Sequence, residues 1–294
     1  MNNVLSIVIP VRNNSQGALR ILSDIHNQMK ECDLKRGNIL VEIIDDASDD
    51  DTERVVKPIA EEWGFIYTRL AERRGAGGAR NLGVERALKE HEAKYVCFFD
   101  SDDMLVKGAL KEIHAAVTKP DKDAPDAVMW GYIVIKKDGG NIIWMPKFKN
   151  EDEWTETPVA PWIHAIRSYL VQPFPTDTLL DDAQWWIRQA EVFAEKKAVI
   201  DFIPKPLYIY DKTSGGCTRA NEFFNENPMH LDYIVMHDVM RKNGFPDRYV
   251  SDCLRNLAAM FDLRNELHDE RIRKVWHKRF VAEINACFTG RWGW

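Results

Sequence analysis

The sequence predicts an α/β fold in which a mostly parallel sheet is flanked by helices. Short β-branched runs alternate with amphipathic helical patterns through the first hundred residues. Acidic and polar clusters follow two of these runs directly. Such alternation is typical of parallel sheets covered on both faces, where ligands collect at the carboxyl ends of the strands.

Four strands are predicted in this region from apolar runs, which lie at 5–11, 39–45, 65–70 and 95–99. Between the first two strands, apolar residues recur at spacings of three and four, as an amphipathic helix requires; they are Leu19, Leu22, Ile25 and Met29. Further helices are expected from Thr52 to Trp63 and over 77–91. The first hundred residues therefore alternate strand and helix four times.

The pattern becomes more antiparallel after Lys119. Residues 127–146 predict two strands joined at Asp138, Gly139 and Gly140, which indicates a hairpin. A helix carrying Trp185, Trp186 and Ile187 follows, and then a last strand interrupted by Pro204 and Pro206. We expect one domain over 1–220, with halves 1–119 and 120–220, and a helical C-terminal extension over 221–294.

Composition narrows the class of protein. An apolar content of 45% in 294 residues is enough for a folded core, and a net charge of −6 does not suggest a general polyanion binder. The five cysteines are widely spaced without a C-x-x-C pair, which favours a reducing cytoplasm over a disulfide framework or zinc site. No window approaches 18 uninterrupted apolar residues, so we expect a soluble protein whose membrane contact would be peripheral.

The stretch "YVCFFDSDDML" places Asp100, Asp102 and Asp103 at the end of a predicted buried strand. These carboxylates could cap the next helix, form a solvated loop, or bind a hard divalent cation through oxygen ligands. A strand fixes the backbone direction, so Asp100 and Asp102 can point to one side. Mg²⁺ and Mn²⁺ keep positions for substrate phosphates, which would suit a nucleoside diphosphate.

Four segments together resemble the donor half of the family 2 glycosyltransferases with the GT-A fold. They are, in order, "SIVIPVRNN", "VEIIDDASDDDT", "RRGAGGARNLGVERAL" and "YVCFFDSDD". The later segments "TPVAPWIHAIRSYL", "FPTDTLLDDAQWWIR" and "KPLYIY" resemble the acceptor half, so the resemblance covers about Leu5 to Tyr210. It implies transfer of a sugar from a nucleotide diphosphate sugar, most commonly a UDP-sugar, with Mn²⁺ or Mg²⁺ as cofactor.

The resemblance also implies roles for residues that contact the nucleotide base. Pro10, Val11 and Arg12 would lie at the end of the first strand, where the family's backbone borders the base. Asp46 matches the second aspartate of the family's "DD-x-S" and would hydrogen-bond the base. Asp45 has the simpler alternative of capping a turn.

A second group of implied contacts involves the diphosphate. Arg80 would lie against the diphosphate or orient the acidic motif, with a structural ion pair as the alternative. Asp100 would meet the ribose or metal-bound water, Ser101 separates the two carboxylates, and Asp102 would ligate the metal.

The acidic pair of "LLDDAQWW" supplies the expected base. In the family the second member of this pair takes the proton of the attacking sugar hydroxyl, which maps to Asp182. Attack opposite the departing diphosphate gives a single displacement with inversion. The alternative for both residues is helix N-capping, and we assign capping to Asp181 and catalysis to Asp182.

The resemblance weakens after Tyr210, where the family often shows Tyr-Arg-x-His. This chain places Asp211 and Thr213 at the arginine and histidine positions. The phosphate or metal contact that the family assigns to this histidine could instead come from three nearby residues on a lid hinged at 214–216. They are Lys212, Thr218 and Arg219.

The sequence also admits two other classes of function. The glycine-rich turn before Arg80 is a poor match to a dinucleotide-binding fingerprint, which would indicate an oxidoreductase. A non-catalytic binding module is a third class. It is disfavoured because residues matching the family's donor, metal and base positions are all present.

The acceptor is expected to be a glycan or glycolipid, with nucleic acid as an alternative. Residues 241–294 carry eleven Lys or Arg against seven Asp or Glu, a net charge of +4. This segment and its three tryptophans could contact anionic lipid or nucleic acid. A solvated amphipathic helix whose tryptophans pack on the domain is the structural alternative.

Overall fold

The structure is a computed structural model of the 294-residue chain. It describes residues 4–34, 37–120, 122–136, 139–145, 160–176, 195–211 and 213, together with positions 182, 185, 189, 192 and 193. All of these belong to one compact unit, which comprises Met1–Asp177 and Asp181–Gly216. The extension predicted from residue 221 lies outside the described residues. No helix within them is long and apolar enough to cross a lipid bilayer.

The described residues form nine strands in a single mixed sheet. The strands are β1 (Leu5–Val11), β2 (Ile39–Asp45), β3 (Ile66–Arg69), β4 (Tyr95–Phe98), β5 (Met104–Leu105), β6 (Ala127–Ile135), β7 (Asn141–Trp144), β8 (His164–Arg167) and β9 (Ile200–Asp211). Their spatial order is β3-β2-β1-β4-β8-β6-β9-β5, and β7 pairs with β6. The sheet thus joins an amino-terminal group of strands to a later group through the β4–β8 pair.

Helices connect the strands of the amino-terminal half. They are α1 (Ser15–Glu31), α2 (Thr52–Glu62), α3 (Gly75–Lys89) and α4 (Ala109–Val117), and short 3-10 turns lie at Pro161–Ile163 and Ser168–Leu170. The Asn14 side chain caps α1 by accepting a hydrogen bond from the Gly17 amide at 3.1 Å. The predicted alternation of strands and helices through β4 is confirmed.

Strands β3, β2, β1 and β4 are parallel, as predicted. Every residue of β1 and β2 is buried, because helices cover both faces of a parallel sheet. A Cβ at Gly83 of α3 would lie 2.3 Å from Val8 Cγ1, so the glycine permits the close approach of α3 to β1.

The second half of the sheet is largely antiparallel. Strand β8 runs antiparallel to β4 and β6, and the predicted hairpin of β6 and β7 is confirmed. Strand β9, however, is parallel to β6. The register shifts around Gly131 accommodate Pro204 and Pro206, so β9 is one continuous strand where we expected an interrupted one.

The topology brings the acidic clusters to one edge of the sheet. Val11 at the end of β1 pairs with Asp45 at the end of β2, and Val8 pairs with Phe98 at the end of β4. Parallel strands end on the same side, so the residues after β2 and β4 share this carboxyl edge. The end of β9 reaches the same region, because β9 pairs with β5 just after the acidic motif.

Candidate active site

Asp100 and Arg80 form an ion pair at the carboxyl edge of β4. Arg80 Nη2 lies 2.7 Å from Asp100 Oδ1, and the Arg80 residue on α3 is 5% exposed. Asp100 and Asp102 are half-buried, and Ser101 between them is 9% exposed. The structure therefore brings the arginine to the acidic motif, as expected if Arg80 orients the motif or forms a structural ion pair with it.

Asp103, the last residue of the acidic motif, is fully buried. Its Oδ2 accepts a hydrogen bond from the Tyr208 hydroxyl at 2.8 Å, and its Oδ1 accepts one from the Asp211 amide at 2.9 Å. The Tyr208 hydroxyl in turn accepts the amide of Asp100 at 2.9 Å. Burial, together with the charges of Asp100 and Asp102, raises the pKa of Asp103 to about 8. Asp103 thus joins the motif to β9.

One polar stripe of α1 holds the backbone that follows the motif. Its members, spaced four residues apart, are Arg20, Asp24 and Gln28. Arg20 donates to the Asp102 carbonyl, and Asp24 accepts the Leu105 amide at 3.0 Å. Gln28 donates to the Val106 carbonyl and accepts the Leu110 amide, both at 3.1 Å. These residues were not predicted from the sequence. Their spacing at i, i+4 and i+8 places them on one face of the helix, but it does not indicate which segment that face contacts.

Asp46 binds the amino-terminal end of α3. Its two carboxylate oxygens accept hydrogen bonds from the amides of Arg74 at 2.6 Å and Gly75 at 3.0 Å. A carboxylate is favourable here because the unpaired amides of a helix N-terminus carry partial positive charge. Gly75 has a φ of +75°, a conformation that glycine adopts without strain.

Asp45, at the end of β2, is fully buried and accepts hydrogen bonds from two neighbouring residues. Its Oδ1 accepts the Ser48 amide at 2.9 Å, and its Oδ2 accepts the Tyr67 hydroxyl at 2.6 Å. The first contact closes the turn after β2, as the capping alternative predicted.

Arg12 fixes the loop after β2. Its Nη1 donates to the carbonyl oxygens of Asp46 at 2.6 Å and Ala47 at 2.7 Å. Pro10 and Val11 are buried at the end of β1. The three residues expected near the base therefore lie beside the Asp46 loop, at the edge that carries the acidic motif.

Asp182 and Trp185 both have helical backbone, and aromatic rings link Trp185 to Arg80. Asp182 is half-buried, and Trp185 stacks on Phe174 with ring centroids 4.7 Å apart. The Arg80 guanidinium carbon lies 5.3 Å from the Phe174 ring centroid. Asn81 exchanges hydrogen bonds with the Phe174 backbone at 2.7 and 2.8 Å. Asp181, Trp186, Ile187, Lys212, Thr218 and Arg219 lie outside the described residues.

The residues present fit a hard divalent cation that shares its coordination with a substrate. Asp100 and Asp102 offer oxygen ligands, the donor type that Mg²⁺ and Mn²⁺ prefer. Among the described positions, no three His, Cys, Asp or Glu side chains form a group that could hold a metal. A cation here would take its other oxygens from phosphates and water, as magnesium does at nucleotide sites.

Solved structures share this α/β architecture. Staphylococcus aureus TarS 1–349 in complex with UDP-GlcNAc aligns with a TM-score of 0.69 at 17% identity, covering 96% of this chain and 81% of that one. The mannosyltransferase PcManGT from Pyrobaculum calidifontis, in complex with GDP-Man and Mn²⁺, aligns with a TM-score of 0.50 at 17% identity, covering 99% and 88%. The fold is the GT-A fold, as the sequence predicted.

The sequence itself matches Glycosyl transferase family 2 over residues 6–174, more than half of the chain. The chain belongs to this family. Its relatives include the poly(ribitol-phosphate) beta-N-acetylglucosaminyltransferase TarS of S. aureus, 27% identical over 119 residues, which are 40% of this chain and 19% of that protein. The GalNAc(5)-diNAcBac-PP-undecaprenol beta-1,3-glucosyltransferase of Campylobacter jejuni is 32% identical over 111 residues, 37% of this chain and 33% of that protein. The matches span about a fifth to a third of these relatives.

Proposed function

We propose that the protein is an inverting glycosyltransferase that moves a sugar from a UDP-sugar to a hydroxyl group of a glycan or glycolipid. The observation that carries this proposal is the Arg80–Asp100 ion pair beside Asp102, at the carboxyl edge of a GT-A sheet in a family 2 chain. Family membership also removes the reason to consider a nicotinamide-dependent oxidoreductase.

The first half of the domain binds the donor, and the second half supplies the catalytic base. Pro10, Val11, Arg12 and Asp46 border the base, while Arg80, Asp100, Ser101 and Asp102 face the diphosphate. Mn²⁺ or Mg²⁺, when bound at Asp100 and Asp102, would neutralise the charge of the departing diphosphate. Asp182 takes the proton of the acceptor hydroxyl as the hydroxyl oxygen attacks the anomeric carbon.

The donor and acceptor classes draw on the relatives. TarS 1–349 was crystallised with UDP-GlcNAc, which supports a uridine nucleotide. The names of the relatives specify poly(ribitol-phosphate) and an undecaprenol-linked glycan, which supports a glycan or glycolipid acceptor. The nucleic-acid alternative depends on residues 241–294, which lie outside the described part of the chain.

A thermal-shift panel tests the donor and metal assignments. We expect UDP-sugars with Mn²⁺ to raise the unfolding temperature more than GDP- or dTDP-sugars do, and excess chelator to remove most of the shift. Asp102→Asn should lose the Mn²⁺-dependent part, whereas Asp123→Asn, at an exposed aspartate, should keep it. A larger shift with GDP- or dTDP-sugars would contradict the donor assignment, and a shift insensitive to chelator would contradict the metal assignment.

A further inference from the structure

Arg20 of α1 contacts two acidic segments that are far apart in sequence. Its Nη1 lies 3.1 Å from Asp211 Oδ2 at the end of β9, and its Nη2 donates to the carbonyl oxygen of Asp102. The Asp211 side chain is 5% exposed and that of Arg20 is 37% exposed. The ion pair is therefore partly shielded from water, which strengthens it relative to a pair on the open surface.

Asp211 is itself fixed by its neighbours. Its Oδ1 accepts hydrogen bonds from the Thr213 amide at 2.9 Å and hydroxyl at 2.5 Å, and its own amide donates to buried Asp103. Asp211 and Thr213 are the positions at which the chain departs from the Tyr-Arg-x-His pattern. The departure therefore has a structural counterpart, since Asp211 contacts both Thr213 and Arg20.

The backbone of the acidic motif is held from both α1 and β9. On the side of α1, the Asn14 side chain, which caps the helix, donates to the Ser101 carbonyl at 3.3 Å, and Arg20 donates to that of Asp102. From β9, the Tyr208 hydroxyl accepts the Asp100 amide. Arg20 bonds the motif and, through Asp211, also reaches β9, so it joins the two supports.

We infer that Arg20, with Asp211 as its partner, is a positioning residue that sets the direction of the Asp102 carboxylate. This inference rests on the proposed function, because it assigns Asp102 to the cation and diphosphate. Arg20 acts through the Asp102 backbone and is not assigned a contact with the donor. A carboxylate ligand held by its own backbone contacts loses less conformational freedom when it binds a cation.

The test measures UDP binding by calorimetry with Mn²⁺ and with chelator, and Mn²⁺ binding by electron paramagnetic resonance. We expect Arg20→Gln to weaken Mn²⁺-dependent UDP binding by about 10-fold, the size typical of changes to residues that orient metal ligands, and to leave metal-free UDP binding unchanged. Asp211→Asn should weaken it less, because the bond from Arg20 to the Asp102 carbonyl remains. The double variant should match Arg20→Gln, since Arg20→Gln already removes the Arg20–Asp211 ion pair. Arg54→Gln is the control, because that arginine is 78% exposed in a surface ion pair.

The outcomes separate the inference from the proposed function. A parent protein that fails to bind UDP with Mn²⁺ would overturn both. If the parent binds but Arg20→Gln stays within about twofold of Arg54→Gln, only the inference is wrong. Equal weakening with and without metal would also contradict it, because that is the result of general structural damage or a direct nucleotide contact. If Arg20→Gln does not unfold cooperatively, Asp211→Asn decides by the same comparison.

Discussion

Asp45 and Asp46 are adjacent carboxylates with different partners. Asp45 accepts bonds from the Ser48 amide and the Tyr67 hydroxyl, whereas both oxygens of Asp46 accept amides at the start of α3. A carboxylate oxygen has two lone pairs, so Asp46 can still accept a hydrogen bond from a nucleotide base while it accepts those of the helix amides. A nucleotide base bound to Asp46 would therefore lie next to the glycine-rich turn.

At the scale of single residues, Asp182 carries the prediction about proton transfer. Asp182→Asn keeps the side chain's size and polarity but removes its basicity, so the transfer rate should fall by about 10²-fold or more. Donor affinity should be nearly unchanged, because Asp182 is assigned only to the acceptor hydroxyl. Steady-state kinetics and nucleotide titration measure the two effects on the same sample.

Asp181→Asn is the matched control for this experiment. It should cost far less activity, and any loss of a helix cap should appear as a decrease of about 1 kcal/mol in unfolding free energy. Equal rate losses in the two variants, or loss of donor binding in Asp182→Asn, would show that another carboxylate takes the proton.

At the scale of elements, the approach of α3 to β1 depends on Gly83. Alanine is intrinsically better than glycine in a helix by about 1 kcal/mol. A Cβ at this position would, however, lie 2.3 and 2.7 Å from the two γ-carbons of buried Val8, and overpacking costs about 1–3 kcal/mol. We expect Gly83→Ala to lower the unfolding free energy, measured by denaturant titration.

A second substitution isolates the contact. In a Val8→Ala background the obstructing γ-carbons are absent and the Cβ at position 8 is 3.1 Å from the added one, so Gly83→Ala should cost much less than in the parent. A destabilisation of the same size in both backgrounds would mean that the close approach to Val8 is not its cause.

The elements differ in how far sequence could predict them. Strands β1 to β4 and their helices were predictable because each carries its own local apolar pattern. The parallel pairing of β9 with β6 could not be predicted in this way. The direction of β9 in the sheet depends on its contacts with β6, a segment far from it in the sequence. The prolines of β9 suggested a break, but register shifts in the β6 pairing accommodate them.

The candidate site shows the same limit. Asp100, Asp102, Asp46 and Arg80 were recognisable as motif residues, and the structure brings Arg80 to Asp100 across 20 positions. Arg20 was not recognisable, because its partners Asp102 and Asp211 lie 82 and 191 positions away. A single polar residue on an amphipathic helix carries no local sign that it contacts a motif.

At the scale of the whole molecule, buried His164 couples folding to pH. It lies on β8 with no exposed surface, and its ring is edge-to-face with Trp185 at 6.1 Å. Burial lowers the pKa of His164 from an ordinary 6.5 to about 3. The native imidazole is therefore neutral throughout the range in which the unfolded chain's imidazole becomes protonated.

The sign of the effect follows from proton binding in the two states. Between pH 6.5 and about 3 the unfolded chain binds one more proton at His164 than the native protein does, so unfolding becomes more favourable as pH falls. This single group contributes a slope of up to about 1.4 kcal/mol per pH unit in that window, and none above it.

We expect denaturant titrations of His164→Leu from pH 7.5 to 4.5 to show a shallower loss of unfolding free energy than the parent. The difference between the slopes isolates this histidine from the other acid-sensitive groups. His26→Gln should alter the slope less, because His26, whose pKa is also lowered by burial, is only partly buried. Parallel pH profiles for the parent and His164→Leu would mean that the imidazole is protonated equally in the native and unfolded states.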